Sequence, residues 1–175
     1  VAGTSFFKAG DKPAFVAADT MNLYINGYLD DLRKLLTRID CLIVNDEEAR
    51  LLAGHSNLIR DAEVILAMGP RIVIIKKGES GSLMCSADGD KFVLPAYPAT
   101  EVCDPTGAGD SFAGGFMGHL AQTGRTDFKT LKTAVAYGTV VASFTIADFS
   151  LAGLTAIARK DIDKRLQTLR EFTCF

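Results

Sequence analysis

Nine residues, Asp104-Pro105-Thr106-Gly107-Ala108-Gly109-Asp110-Ser111-Phe112, carry the strongest chemical signal in the chain. They lead from a loop into a segment with Phe112, Phe116 and Leu120 on one face, which predicts a helix over 109–122 that Gly124 can end. Small residues at 107, 108 and 109 let a backbone come close to a ligand and leave its N–H groups unobstructed. Successive N–H groups at a helix N-terminus, aided by the positive end of the helix dipole, form an anion site that suits a phosphate group. Asp110 falls in the first turn of that helix. A carboxylate there can accept a hydroxyl proton while the amides hold a phosphoryl group in transit, joining general-base catalysis to electrostatic stabilisation. The plain alternative is that Asp110 only caps a helix after a glycine turn.

Competing nucleotide motifs are absent. No G-x-x-x-x-G-K-[ST] occurs, and Gly107–Phe112 lacks the last glycine of the dinucleotide fingerprint. An NAD-dependent oxidoreductase would carry that fingerprint early in the chain, where none is found.

The elements that must position this loop follow from hydrophobic patterning. Short apolar runs alternate with helical patterns, as in βαβ units that build a parallel sheet. Ala14–Ala18, Cys41–Val44 and Ile72–Ile75 read as buried strands, closed by Asp19, Asn45 and Lys77. Ligands bind beyond the carboxyl ends of such strands, so these three polar endings line one edge where a ligand could sit. Between the strands, Leu32, Leu35 and Leu36 mark a helix over 29–38. The acidic run Asp46-Glu47-Glu48 opens a short helix ending near Gly54, and Asn57 caps a third helix with Leu58, Ala62, Ile65 and Leu66 on one face. Strands at 82–86 and 91–94 flank Asp88-Gly89, a pair suited to a tight hairpin, so the sheet gains antiparallel members. A long helix starts near Asp127, and Ile162, Leu166 and Leu169 mark an amphipathic last helix.

With 175 residues, 48% hydrophobic and 23% charged, the composition is that of a globular domain with a real core. A net charge of -2 and a pI near 5.7 give no electrostatic footprint for nucleic acid. The longest apolar stretch, 134–147, falls short of the roughly 20 residues that cross a bilayer, so no membrane partner is expected. The four cysteines, Cys41, Cys85, Cys103 and Cys174, form no metal-binding pattern and are read as reduced thiols of a cytoplasmic protein, three of them among apolar neighbours. His55 and His119 have no matching ligands nearby.

The segment 104–112 resembles the C-terminal signature of the PfkB-type, or ribokinase-like, carbohydrate kinases, D-[ST]-x-[GA]-A-G-D followed by a helix of small and apolar residues. Pro105 stands where that pattern has Ser or Thr. Two further matches lie upstream in the right order: Asn45-Asp46-Glu47-Glu48 for the family's N-x-x-E, and Gly78-Glu79-Ser80-Gly81 for its G-x-x-G turn after a strand. The resemblance implies a ribokinase-like three-layer α/β/α sandwich, its sheet mostly parallel with antiparallel strands toward one edge. Residues 1–175 then correspond to the nucleotide-binding and catalytic C-terminal portion of that domain. The glycine-rich N-terminal signature, the acceptor-binding strands and the lid of the family find no match here. With the start at Val1, this implies a chain lacking its N-terminal half, weak or inactive alone.

The implied reaction is transfer of the γ-phosphate of ATP to a hydroxyl of a sugar, with a nucleoside as the second acceptor class, or nucleotide binding without turnover. Asp110 is then the base, and the N–H groups of Gly107, Ala108 and Gly109 the anion hole. Asn45, Lys76, Gly78, Gly81, Thr106, Tyr137 and Gly138 would lie around ATP, with Tyr137 and Gly138 walling the adenine. Glu48 would hold Mg²⁺ through water, and Asp104, with Thr106, sits where some relatives bind K⁺. Asp19-Thr20-Met21-Asn22 is similar to the strand end that approaches the acceptor or phosphates in many relatives, but the arginine of fructokinase-like members has no counterpart between Leu23 and Asp30. Homodimers formed through the lid belong to the full-length family.

Overall fold

A computed structural model of the chain describes residues 13–174; Val1, where the chain opens, lies outside the described residues. In chain order the elements are β1 (Ala17–Asp19), α1 (Asn22–Gly27), α2 (Leu29–Leu36), β2 (Cys41–Asn45), α3 (Asp46–Ala53), α4 (Leu58–Ala67), β3 (Ile72–Lys76), β4 (Ser82–Ser86), β5 (Lys91–Leu94), α5 (Ala108–Thr123), α6 (Phe128–Thr145), α7 (Ala152–Thr155) and α8 (Arg159–Thr173). The described residues gather into two compact units, one of residues up to Gly78 with Ser82–Val93, the other of Glu79–Gly81 with the residues from Leu94 on.

The sheet runs in the order β1-β2-β3-β4-β5. β1, β2 and β3 are parallel, and β4 pairs antiparallel with β3, so the expected mixed sheet forms. β-branched and aliphatic runs make the central strands because they are buried on both faces, leaving no polar alternation. One face packs Leu42, Val44, Val73 and Ile75 against Leu36, Ala49, Ala62 and Ile65 of α2, α3 and α4. Each such aliphatic side chain contributes about 1.5–3 kcal/mol on burial.

Two boundaries differ from the sequence expectation. β1 spans Ala17–Asp19 rather than 14–18: the Val16 carbonyl takes the first bond of the β1–β2 ladder, but its N–H turns to the Asp40 side chain and the pairing goes no further back. The Val16 N–H donates to Asp40 Oδ2 at 2.8 Å, and the Asp40 and Cys41 N–H groups donate to the Val16 carbonyl at 2.8 and 3.1 Å. β3 continues to Lys76, so the polar residue closing that strand is Lys76, not Lys77. α1 and α7 were not expected, being too short to carry a periodic signal.

In the second unit, α5 and α6 cross closely. A Cβ at Gly138 would stand 2.7 Å from the Phe112 carbonyl oxygen, and one at Gly115 would stand 3.0 Å from the Gly138 Cα. Phe112, Phe116 and Leu120 are buried as their spacing predicts. α8 buries Leu166 and Leu169 and lays the Arg165 guanidinium 3.5 Å over the Phe144 ring. The Arg165 Nη1 also donates to Ser143 Oγ at 3.0 Å. Cys41 and Cys85 are buried while Cys103 and Cys174 are exposed, so two thiols rather than three lie in apolar surroundings. Among the described residues no helix is long and apolar enough to cross a membrane.

Candidate active site

The loop before α5 is shaped by its own hydrogen bonds. Asp104 Oδ1 accepts the Thr106 N–H at 2.9 Å, and that bond holds the Asp104 carboxyl below the usual carboxylate range. Gly107 stands at φ +79° as the N-cap of the 16-residue α5, a conformation that favours glycine, with open space where a Cβ would be. The Ala108 N–H donates to the Pro105 carbonyl at 3.1 Å and the Ser111 N–H to the Gly107 carbonyl at 2.9 Å. The amide of Ala108, expected to be open, is therefore taken by a turn. Among the described residues no acceptor takes the N–H groups of Gly107, Gly109 or Asp110. Asp110 is exposed in the first turn of α5, not folded into the core. Bare amides at a helix N-terminus beside a free carboxylate can bind an anion and accept a proton at neighbouring positions.

In the other unit, the carboxyl ends of β1, β2 and β3 gather charged groups. The Lys76 Nζ lies 3.1 Å from Asp19 Oδ2, an ion pair between residues 57 apart in the chain. Asn45 Oδ1 accepts the Glu48 N–H at 2.7 Å, and Glu48 Oε2 accepts the Asn45 N–H at 2.8 Å, a complete capping box opening α3. Glu48 is only 8% exposed. Burial pushes its carboxyl up, with the nearby Asp19 charge adding to the rise while the Asn45 N–H and Lys76 oppose it. Lys76 pairs in register with Asn45 on one side and Ser82 on the other. Thr20 Oγ1 and Ser82 Oγ are buried without a partner among the described residues. Among the described residues no group of three or more His, Cys, Asp or Glu side chains could hold a metal alone.

The capping box makes a test of its own. Asn45→Ala removes the acceptor for an α3 amide and half of the reciprocal pair, which costs about 1 kcal/mol, within a range of roughly 0.5–2. For a chain of this size a thermal melt should fall by about 2–4 °C per kcal/mol lost.

The model of the family described as "pfkB family carbohydrate kinase" matches residues 6–155. The chain belongs to the pfkB family. The cytidine kinase of Thermococcus kodakarensis is 37% identical over 90 residues, a stretch covering 50% of this chain and 32% of that protein. The crystal structure of aminoimidazole riboside kinase from Salmonella enterica, complexed with aminoimidazole riboside and an ATP analog, superposes with a TM-score of 0.72 at 25% identity, over 87% of this chain and 52% of that one. A structure from E. coli carrying a ribokinase II assignment, in complex with ATP and Mg²⁺, gives a TM-score of 0.67 at 27% identity, over 83% and 45%. The pfkB chain in hand thus spans about half the length of the solved relatives it matches, and the fold is the ribokinase-like α/β fold.

Within this pfkB chain the remaining expected site residues fall in distinct settings. Gly78 is exposed at φ +55° with nothing within 4 Å of a Cβ, whereas a Cβ at Gly81 would stand 2.1 Å from the Leu94 carbonyl oxygen. Tyr137 is neither plain core nor an open wall. Its ring stacks on His119 at 4.6 Å and lies under the Arg159 guanidinium at 5.0 Å, and its hydroxyl donates to Asp163 Oδ1 at 3.1 Å. Burial and the Arg159 charge push the His119 imidazole down. Gly138 faces Phe112 of α5, so its missing side chain serves a helix crossing. Sequence reading missed the Asp19–Lys76 pair, which no spacing rule reveals, and the capping box, which Asn45-x-x-Glu48 does signal.

Proposed function

We propose that this chain is the nucleotide-binding and catalytic C-terminal portion of an ATP-dependent pfkB-family phosphotransferase that moves the γ-phosphate of ATP onto a sugar hydroxyl. The observation that carries the reading is the exposed Asp110 carboxylate beside the unoccupied N–H groups of Gly107 and Gly109. Asp110 accepts the proton of the acceptor hydroxyl, and the amides of Gly107 and Gly109 hold the phosphoryl group in transit. Asn45, Lys76, Gly78, Gly81 and Thr106 serve the nucleotide in this reading, with Tyr137 and Gly138 assigned to the adenine.

Mg²⁺ takes one or two carboxylates and completes its shell with water and substrate phosphate. Glu48 would hold the ion through water in such a shared site; among the described residues no group of three or more His, Cys, Asp or Glu side chains could form an all-protein cage. When bound, the ion would neutralise phosphate charge. Asp104 and Thr106 are the residues assigned to K⁺, although the Asp104 carboxylate already closes the loop through the Thr106 amide.

A nucleoside acceptor is the second reading, favoured by the names of the cytidine and aminoimidazole riboside kinases. Nucleotide binding without turnover is the third. Small-molecule acceptors, a cytoplasmic setting and pairing of the whole protein as a homodimer complete the proposal. Titrating ATP-Mg²⁺ against the chain, then assaying phosphate transfer across sugars and nucleosides, separates the three. Transfer to a sugar supports the first, transfer only to nucleosides the second, binding without transfer the third, and no binding sinks them all.

A further inference from the structure

Thr145, the last residue of α6, is set apart from helical threonines such as Thr139 by a bond to a side chain of another helix. Thr139 Oγ1 bonds its own helix at the Val135 carbonyl at 3.0 Å, and Thr133 and Thr173 do the same at 3.3 and 3.1 Å. Thr145 Oγ1 also lies within hydrogen-bond reach of its own helix, 3.5 Å from the Val141 carbonyl, but its shorter bond is donated to Ser111 Oγ of α5 at 2.7 Å. It does so at 1% exposure, where water cannot replace a lost partner. Ser111 follows Asp110 and is held twice, since its N–H also donates to the Gly107 carbonyl at 2.9 Å. The next residue of the α6 terminus completes the grip. The Ile146 carbonyl accepts the N–H groups of Cys103 and Asp104 at 2.8 and 3.4 Å, on the other side of the same loop.

We propose that Thr145 is a positioning residue that, with the Ile146 carbonyl, clamps both flanks of the 104–110 loop and fixes the open amides of Gly107 and Gly109 and the Asp110 carboxylate in one arrangement. The inference rests on the nucleotide reading given above. A hydroxyl aimed across a helix pair at the residue after the proposed base is not needed for α6 itself, whose register its backbone already sets. It is needed if amides and carboxylate are to hold a fixed mutual position, because a misplacement of about 1 Å in such a site is felt strongly.

The test compares Thr145→Val, which keeps shape and loses the hydroxyl, with Thr145→Ser, which keeps the hydroxyl, and with Ser111→Ala, which breaks the bond from the other end. ATP-Mg²⁺ affinity is measured by calorimetric titration of the folded chain, and amide hydrogen exchange is followed across residues 103–111. Thr145→Val and Ser111→Ala should each weaken ATP by about tenfold and speed exchange in that loop, while Thr145→Ser restores both. A lower melting temperature with unchanged ATP affinity and unchanged exchange in 103–111 would make Thr145 merely structural and overturn the inference. Failure of Thr145→Ser to restore affinity would overturn it too. If Thr145→Val does not fold, Ser111→Ala decides alone. A parent chain that binds no ATP refutes the nucleotide reading itself, whereas a parent and Thr145→Val that bind equally refute only the clamp.

Discussion

In the full-length protein, Asp110→Asn should lower phosphate-transfer turnover by about a hundredfold or more while leaving ATP affinity within a few-fold of the parent, the loss expected for a missing general base. The asparagine has the same shape and still stands in the first turn of α5, so the fold has little reason to change. Removing a charge from an exposed helix start forfeits about 0.3–1 kcal/mol of dipole stabilisation. What the amide cannot do is accept a proton. Because the Gly107 and Gly109 amides are untouched, phosphate binding should persist, and the defect should appear in kcat more than in KM. Steady-state kinetics with whichever acceptor is turned over, paired with calorimetric ATP titration, checks both halves. Unchanged turnover removes Asp110 from the chemistry and returns it to the role of a first-turn acid. A parallel loss of ATP affinity would assign it to nucleotide binding.

What could be read from residue order alone depended on the range of the interaction. α5 was legible because Phe112, Phe116 and Leu120 recur at helical spacing and Gly124, at φ +63°, ends the run. The same holds for α4, where Asn57 Oδ1 accepts the Ile59 and Arg60 N–H groups as its position predicts. The Ala108 amide was misjudged since a turn back to Pro105 depends on backbone torsions around Gly107 that residue types permit but do not impose. Gly138 and Tyr137 lie on a helix whose periodicity defines faces but not which neighbour meets them. Phe112 claims the first, and His119 and Arg159 the second. The Asp19–Lys76 pair joins residues 57 apart, and only the parallel order of β1, β2 and β3 brings them to one rim. Local rules therefore located the loop proposed to carry the chemistry, and tertiary packing decided which groups in it are open.

The glycines of Gly78-Glu79-Ser80-Gly81 provide the second large effect and separate a ligand's need for space from the chain's own. Both residues have positive φ, +55° and +83°, so either alanine substitution strains the backbone by roughly 1–2 kcal/mol. Beyond that the two sites part. A Cβ at Gly78 meets nothing within 4 Å, whereas one at Gly81 would come within 2.1 Å of the Leu94 carbonyl oxygen, 2.6 Å of the Pro95 carbonyl carbon and 2.7 Å of the Ala96 nitrogen. These neighbours are backbone, so relief requires moving the strand end or the turn, not rotating a side chain. Overpacking of that kind adds about 1–3 kcal/mol or more to the strain. Gly81→Ala should thus lose about 3 kcal/mol or more and lower the melting temperature by roughly 6–12 °C, while Gly78→Ala should fall by no more than about half of that. If Gly78 borders bound ATP, its alanine variant should instead show its main loss in ATP affinity. Equal melting temperatures for the two variants would mean that the close approach at Gly81 is relieved without cost, and the structural reading of that glycine would be wrong.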